Sequence, residues 1–483
     1  MLLIPLALPV LGAIALFAWR PENLRRCHGL TLAVTLATSL LTAWCVLSPG
    51  DHAVTLLQVT PHLSVSFRLD DLGRVFASLA AFLWPLATLY AFSYMAHEGG
   101  ENVFFGQYML SYAVTLAIAF AEDLATLYLF YELLTLSTLF MVMHGMPTKR
   151  VYAGRKYVYY CLGGAGLAFV AMVTVAHYGG GADFTPGGIA ALRQAPLGVL
   201  LPVFVMGFMG FGVKAAVFPL HNWLPTVSVA PTPVTALLHA VAVVKAGAFA
   251  VIRLAYSCYG AELLRGTWAQ AVCLGVALVS ILWGSAAAVR ETHMKRRLAY
   301  STMSNLSYVL FGALLLSPEG LTGGLMHMVY HALMKICLFS CVGAVMVQTS
   351  RNYVQEMRGL ARRMPFIMAV YLFCAVELVG IPPFVGFQSK WALATAAVQS
   401  GALVGTLGSA VLIISAVLTA IYALFPAISA YASPLEGDLE ARGYDPGPCM
   451  KAPLAVLCVL MLVLAFASGP LTQALSGVAA GLV

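Results

Sequence analysis

The sequence predicts an all-α integral membrane fold of about fourteen transmembrane helices, and three observations carry that reading. Of 483 residues, 61% are hydrophobic and only 9% charged, against roughly 25% charged in an ordinary soluble domain. Apolar stretches of about 20 residues, each long enough to cross a hydrocarbon core of about 30 Å, recur from end to end. The stretches between them alternate between rich and poor in Lys and Arg, as expected where alternate loops face the cytoplasm. The apolar stretches fall at 2–19, 28–48, 73–95, 104–121, 123–144, 155–177, 198–220, 231–255, 267–289, 298–316, 321–348, 364–399 (interrupted), 402–430 and 452–470. They leave no room for a soluble domain, so 1–483 reads as a single polytopic membrane domain.

The first stretch has its charges, Arg20, Arg25 and Arg26, after the apolar run. A secretory signal carries them before it, so a retained first helix is expected. With the N-terminus outside, the inner loops hold those three; Lys149, Arg150, Arg155 and Lys156; Arg290, Lys295, Arg296 and Arg297; Arg351, Arg358, Arg362 and Arg363; and Arg442 and Lys451. The outer side holds Arg68, Arg74, Arg193, Arg253 and Arg265. This asymmetry predicts a multi-pass protein of the cell inner membrane with both termini outside. The net charge of +7 then reflects topology and calls for no nucleic-acid partner.

Ten cysteines are scattered, mostly within helices, with no C-x-x-C pair. Cys337 and Cys341, one turn apart, read as small packing residues. No strand is evident, and with it no glycine-rich dinucleotide fingerprint. No cofactor and no metal is expected, and any electron transfer would belong to other subunits.

Two stretches are punctuated. The seventh carries Gly207, Gly210, Gly212, Pro219 and Pro225, and the twelfth carries "GIPPFVGF", with Gly380, Pro382, Pro383 and Gly386. Non-helical backbone at membrane depth survives only where protein or a wet cavity satisfies it, and paired breaks point to inverted repeats with an ion site between them. The offset of five helices predicts two inverted five-helix repeats, 104–255 (helices four to eight) and 267–430 (nine to thirteen). Three helices in 1–103 precede them and one in 452–483 follows.

The four remaining basic residues, Lys214, Lys245, Lys335 and Lys390, lie inside helices, as do Glu132 and Glu377. An intramembrane charge costs at least about 3 kcal/mol and marks an ion path more often than not. Buried pairs acting as glue are weak stabilisers, which disfavours that reading for six charges on five helices. Lysine suits a proton relay because burial favours its neutral form and a nearby carboxylate its charged form. Glu132 is the expected partner of Lys214. In "GLMHMVYHALMKICLF", His327, His331 and Lys335 follow i, i+4, i+8 and so share one helix face over about 12 Å. A metal held by the histidine pair would lack a third ligand. His239 and Lys245, six residues apart, share a path only if their helix is distorted; core hydrogen bonding and relay stay open for His239. His221 is expected to bond backbone freed by Pro219. His28, His52, His62, His97, His177 and His293 read as solvated near loops, and His144 as a helix-end residue.

The stretches "GVKAAVFPLHNWLPTVSVAPTPVTALLHAVAVVKAG", "RRLAYSTMSNLSYVLFG", "HMVYHALMKICLF" and "GIPPFVGFQSKW" closely resemble the antiporter-like proton-translocating subunits shared by respiratory complex I, Mrp-type cation/proton antiporters and membrane-bound hydrogenases. The resemblance covers roughly residues 70 to 430. It implies fourteen helices with the seventh and twelfth broken, and a relay of Glu132, Lys214, Lys245, Lys335 and Lys390 supported by His239, His327 and His331. Glu377 departs from the pattern, which has a small or apolar residue there; it is carried as a supporting relay residue. The implied partners are other membrane subunits of the same complex, antiporter-like paralogues among them, with redox subunits in trans in the complex I- or hydrogenase-like case. The transported ion is H+, with Na+ as the other candidate. The expected function is therefore proton translocation within a redox-driven pump (NADH:quinone oxidoreductase or hydrogenase type). The alternative is the D-type subunit of an Mrp Na+/H+ antiporter with no redox partner. The long lateral helix of the largest relatives is absent after 452–470, which favours the shorter ones.

Overall fold

In hydrocarbon every backbone N–H and C=O must find a partner within the protein, and the helix achieves this locally. The structure, a computed structural model, describes all residues except 22, 49, 51–52, 61–62 and 435–443; His52, His62 and Arg442 lie outside the described residues. Twenty α-helices follow one another: α1 (Leu3–Trp19), α2 (Leu24–Leu47), α3 (Asp71–Met95), α4 (Glu101–Phe120), α5 (Leu124–Val142), α6 (Thr148–Gly179), α7 (Leu197–Gly212), α8 (Trp223–Thr226), α9 (Thr232–Ala240), α10 (Val243–Ile252), α11 (Ala261–Leu264), α12 (Trp268–Arg290), α13 (Met294–Leu314), α14 (Pro318–Thr349), α15 (Pro365–Val379), α16 (Val385–Gln399), α17 (Ala402–Thr419), α18 (Phe425–Ala432), α19 (Pro448–Phe466) and α20 (Gly469–Leu482).

Among the described residues, ten helical stretches are long and apolar enough to cross a membrane. Where an expected span falls short of that measure, the reason is visible. α1, α7 and α15 are shorter apolar helices, the last two because they are the first halves of the broken helices. The stretch expected at 298–316 is α13, whose first turn holds Lys295, Arg296 and Arg297.

Three expectations change. Strands are present: β1 (Ala53–Thr60) and β2 (Leu63–Arg68) form an antiparallel hairpin before α3. Segments of this length, rich in Val and Thr, vanish in a window sized for spanning helices. The eighth helix is not continuous, because it breaks between α9 and α10 and ends in a π-helical turn at Arg253–Tyr259. The residues after the fourteenth stretch fold as α20, with Leu475, Ala479 and Leu482 buried.

Alternate loops gather on two opposite rims. On one, Arg150 pairs with Glu98 at 2.9 Å and reaches the Val229 carbonyl, Lys295 holds the Ala230 carbonyl at 2.8 Å, and the Asp445 carboxylate accepts from the first turn of α15. On the other, Arg253 pairs with Asp70, Arg265 holds the Leu316 carbonyl at 2.6 Å, and the Gly187 N–H donates to Leu482 at 3.3 Å. Between the rims α9, α10 and most of α13 and α14 are buried on every side, and α9, α10 and α14 carry the buried His239, Lys245, His327, His331 and Lys335.

Candidate functional site

Each break is built from the side chains that satisfy its freed backbone. After α7 the chain leaves the helix at Val213. The Tyr131 hydroxyl from α5 donates to the Phe211 carbonyl (2.8 Å), and the Trp223 indole donates to Val213 (2.9 Å). Ser280 from α12 accepts from the Phe218 N–H (2.8 Å). His221 Nε2 accepts from the Trp283 indole at 3.1 Å. Lys214 stands in the opening, fully buried. Its ammonium donates to the Tyr131 carbonyl and lies 3.5 Å from the centre of that residue's ring.

Glu132 is the next residue along α5, yet no ion pair joins it to Lys214 among the described residues. Its carboxylate lines a cavity of about 460 Å³ with Tyr128, Thr135, Val158 and Leu162, and its Oε1 is buried without a protein partner.

The α9–α10 break supplies the distortion that would let His239 and Lys245 meet. It exposes the His239 carbonyl, which the Lys245 ammonium takes at 2.8 Å. The same ammonium lies 2.8 Å from His331 Nδ1 on α14. Helices pack about 8–10 Å apart, too far for most facing side chains to touch directly. This pair is in direct contact because both side chains point into the shared interface. Both ring nitrogens of His239 lack a protein partner, and its ring packs on Phe339, 4.5 Å between centroids.

From His331 the line runs along α14. The His331 and His327 rings stack at 6.0 Å. His327 Nδ1 meets Ser389 Oγ at 3.0 Å and its Nε2 meets Asn305 Oδ1 at 3.2 Å. Its ring also stacks on Tyr308 at 5.1 Å, and Tyr308 presents its face to the Lys390 ammonium at 5.4 Å. Lys390 donates to the Leu378 and Val379 carbonyls (2.7 and 3.1 Å), capping the end of α15. Across the same break Glu377 accepts from the Gly386 N–H at 3.3 Å, at the start of α16. Base and acid thus sit at the helix ends whose dipoles favour them. Glu377 is fully buried and its second oxygen has no partner.

Lys335 stands beside this line as a branch. It donates to Ser301 Oγ (2.7 Å) and to the Leu298 carbonyl (3.1 Å), and Ser301 Oγ contacts the Tyr422 hydroxyl at 2.7 Å. No hydrogen bond joins Lys214 to Lys245 among the described residues. Ser301, Asn305, Tyr308 and Ser389 were not singled out in the sequence. For the first three, the polar run "STMSNLSY" in a buried helix was the available signal, hidden because none of its residues is charged.

Three cysteines scattered in the sequence, Cys337, Cys374 and Cys458, converge between α14, α15 and α19.

The fold and this line of buried bases define a class of polytopic ion-translocation subunit. Residues 121–419 match the family described as NADH:quinone oxidoreductase/Mrp antiporter, transmembrane region. Residues 57–105 match the one described as NADH-ubiquinone oxidoreductase (complex I), chain 5 N-terminus. The chain belongs to this family of antiporter-like membrane subunits. It is 31% identical over 431 residues to NADH-quinone oxidoreductase subunit N of Desulforudis audaxviator, covering 84% of this chain and 82% of that one. With hydrogenase-4 component B of Escherichia coli it shares 30% over 345 residues, 68% of this chain but half the length of that relative. A chain of the Mrp complex from Dietzia sp. superposes over 100% of this chain and 97% of its own, with a TM-score of 0.86 at 22% identity. At that identity the likeness speaks for the fold alone.

Proposed function

We propose that this chain carries protons across the cell membrane as one membrane subunit of a multisubunit redox-driven pump. The route runs from Glu132 and Lys214 through Lys245, His331 and His327 to Lys390, with Lys335 as a branch and His239 and Glu377 in support. The direct contact between Lys245 and His331 carries this reading, because it is a base-to-base step between the two expected repeats, 104–255 and 267–430. Water fills the step between Lys214 and Lys245, which no hydrogen bond joins among the described residues. Moving one charge against 100 mV takes about 2.3 kcal/mol, so a relay alone would leak. The driving reaction therefore belongs to neighbouring subunits.

In vesicles containing the assembled complex, Lys214→Ala and Glu132→Ala should each abolish or severely reduce proton uptake while subunit content stays normal. Normal uptake by both would sink the route. The second reading, an Mrp-type Na+/H+ module, shares every step and differs in the driving ion; proton movement driven by a Na+ gradient without a redox substrate would select it. For orientation we propose both termini outside. Cysteines introduced at Thr148 and Gly187 in a cysteine-free background should label from opposite faces, Gly187 from outside; labelling from one face would overturn the assignment.

A further inference from the structure

We propose that Cys337, Cys374 and Cys458 form a three-coordinate site for a soft monovalent metal ion, Cu(I) in chemical class. The site ties α19 to α14 and α15. The three sulfurs lie within 4.8 Å of one another. Cys337 and Cys374 are fully buried and Cys458 is half-buried. Metal–thiolate bonds of about 2.3 Å arranged in a trigonal plane put the sulfurs about 4.0 Å apart, so closing on an ion takes only side-chain adjustment. Among the described residues no fourth His, Cys, Asp or Glu joins the group. Zinc and iron–sulfur centres use four protein ligands in their structural sites, whereas a soft monovalent ion is served by thiolates and needs no fourth.

Cysteine ligates a metal as its thiolate, so loading the site releases three protons to solvent per ion and changes no oxidation state. The bland reading is that buried cysteines simply pack as small apolar residues. It does not account for three of them, from helices separated by long stretches of sequence, turning their sulfurs to one point.

Cys337 lies two residues beyond Lys335, about 160° away around α14, so its thiol faces away from that lysine, and metal binding is read independently of proton transport.

The test uses the purified full chain, reduced and anaerobic, titrated with Cu(I) against a Cu(I) chelator of known affinity. Wild type should bind a single tight equivalent, show sulfur-only coordination by X-ray absorption, and melt at a higher temperature than the metal-free protein. Cys458→Ser, at the half-buried position that tolerates change best, and Cys374→Ala should each lose the tight equivalent and the melting shift, while both survive in Cys449→Ser at an exposed cysteine. Metal-free melting of each variant shows that it is folded. Absence of a stoichiometric equivalent in wild type, or its survival in folded Cys458→Ser, would overturn the site.

Discussion

Between Gly212 and Val217 the chain leaves its helix inside the protein and reaches the surface only further on, at Pro219 and Asn222; between Val379 and Val385 it leaves its helix at the surface. Residues 213–217 are buried, and the backbone of Phe211, Val213 and Phe218 around them is served by Tyr131, Trp223 and Ser280. At the second break Ile381 is 37% exposed and Pro382 and Pro383 are exposed beside it. The freed groups there are served by residues of the broken helix itself, Glu377 and Lys390. A sealed break suits a lysine that trades protons only with its neighbours, and an open one suits a lysine that trades them with water. The lysines differ accordingly: Lys214 is fully buried and Lys390 half-buried.

The largest effect expected from this contrast is on transport. Lys390→Met should stop proton transfer in vesicles as completely as loss of Lys214, whereas Lys390→Glu, which keeps an ionisable group near water, should retain part of it. If Lys390→Met transports protons at the wild-type rate, the second break is not on the path and the comparison fails.

Stability comes next. A Cβ on Gly386 would stand 1.7 Å from the Glu377 carbonyl oxygen, and one on Gly247 would stand 2.5 Å from the Ala215 nitrogen, against the Lys214 backbone. Neither obstacle is a flexible side chain, so each break depends on one glycine that lets two backbones touch. Gly247→Ala should cost about 1–3 kcal/mol and Gly386→Ala at least as much, as overpacking does. Thermal unfolding in detergent measures both, and wild-type melting for Gly386→Ala would show that the second break is loosely held.

The smallest effect concerns access. In a cysteine-free background, Ile381→Cys should react readily with a membrane-impermeant maleimide and Ala215→Cys hardly at all. Equal rates would erase the distinction between a sealed and an open break.

Much of this was legible in the chain. Low charge and recurring apolar runs fixed the solvent, and proline and glycine marked both main breaks. Rarity of charge in such runs singled out the lysines, Glu132 and Glu377. The α9–α10 break was not legible: "LLHAVAVVKAG" contains no proline, and its glycine lies beyond the break, so nothing local ends the helix. The hairpin was missed for its shortness, and Ser301, Asn305 and Ser389 because uncharged polar residues cost little enough to go unnoticed.

The sequence by itself determined which groups are too costly to bury without purpose, because that cost belongs to each residue type. Tertiary structure alone decided who meets whom. Lys214 rests on the Tyr131 carbonyl, with no ion-pair contact to Glu132 among the described residues. Lys245 finds His331 across a helix interface, Lys335 turns aside to Ser301, and three distant cysteines share one point. Such contacts depend on how helices are rotated and broken against one another. Those rotations are set by shape over the whole bundle, and no periodicity within a single helix records them.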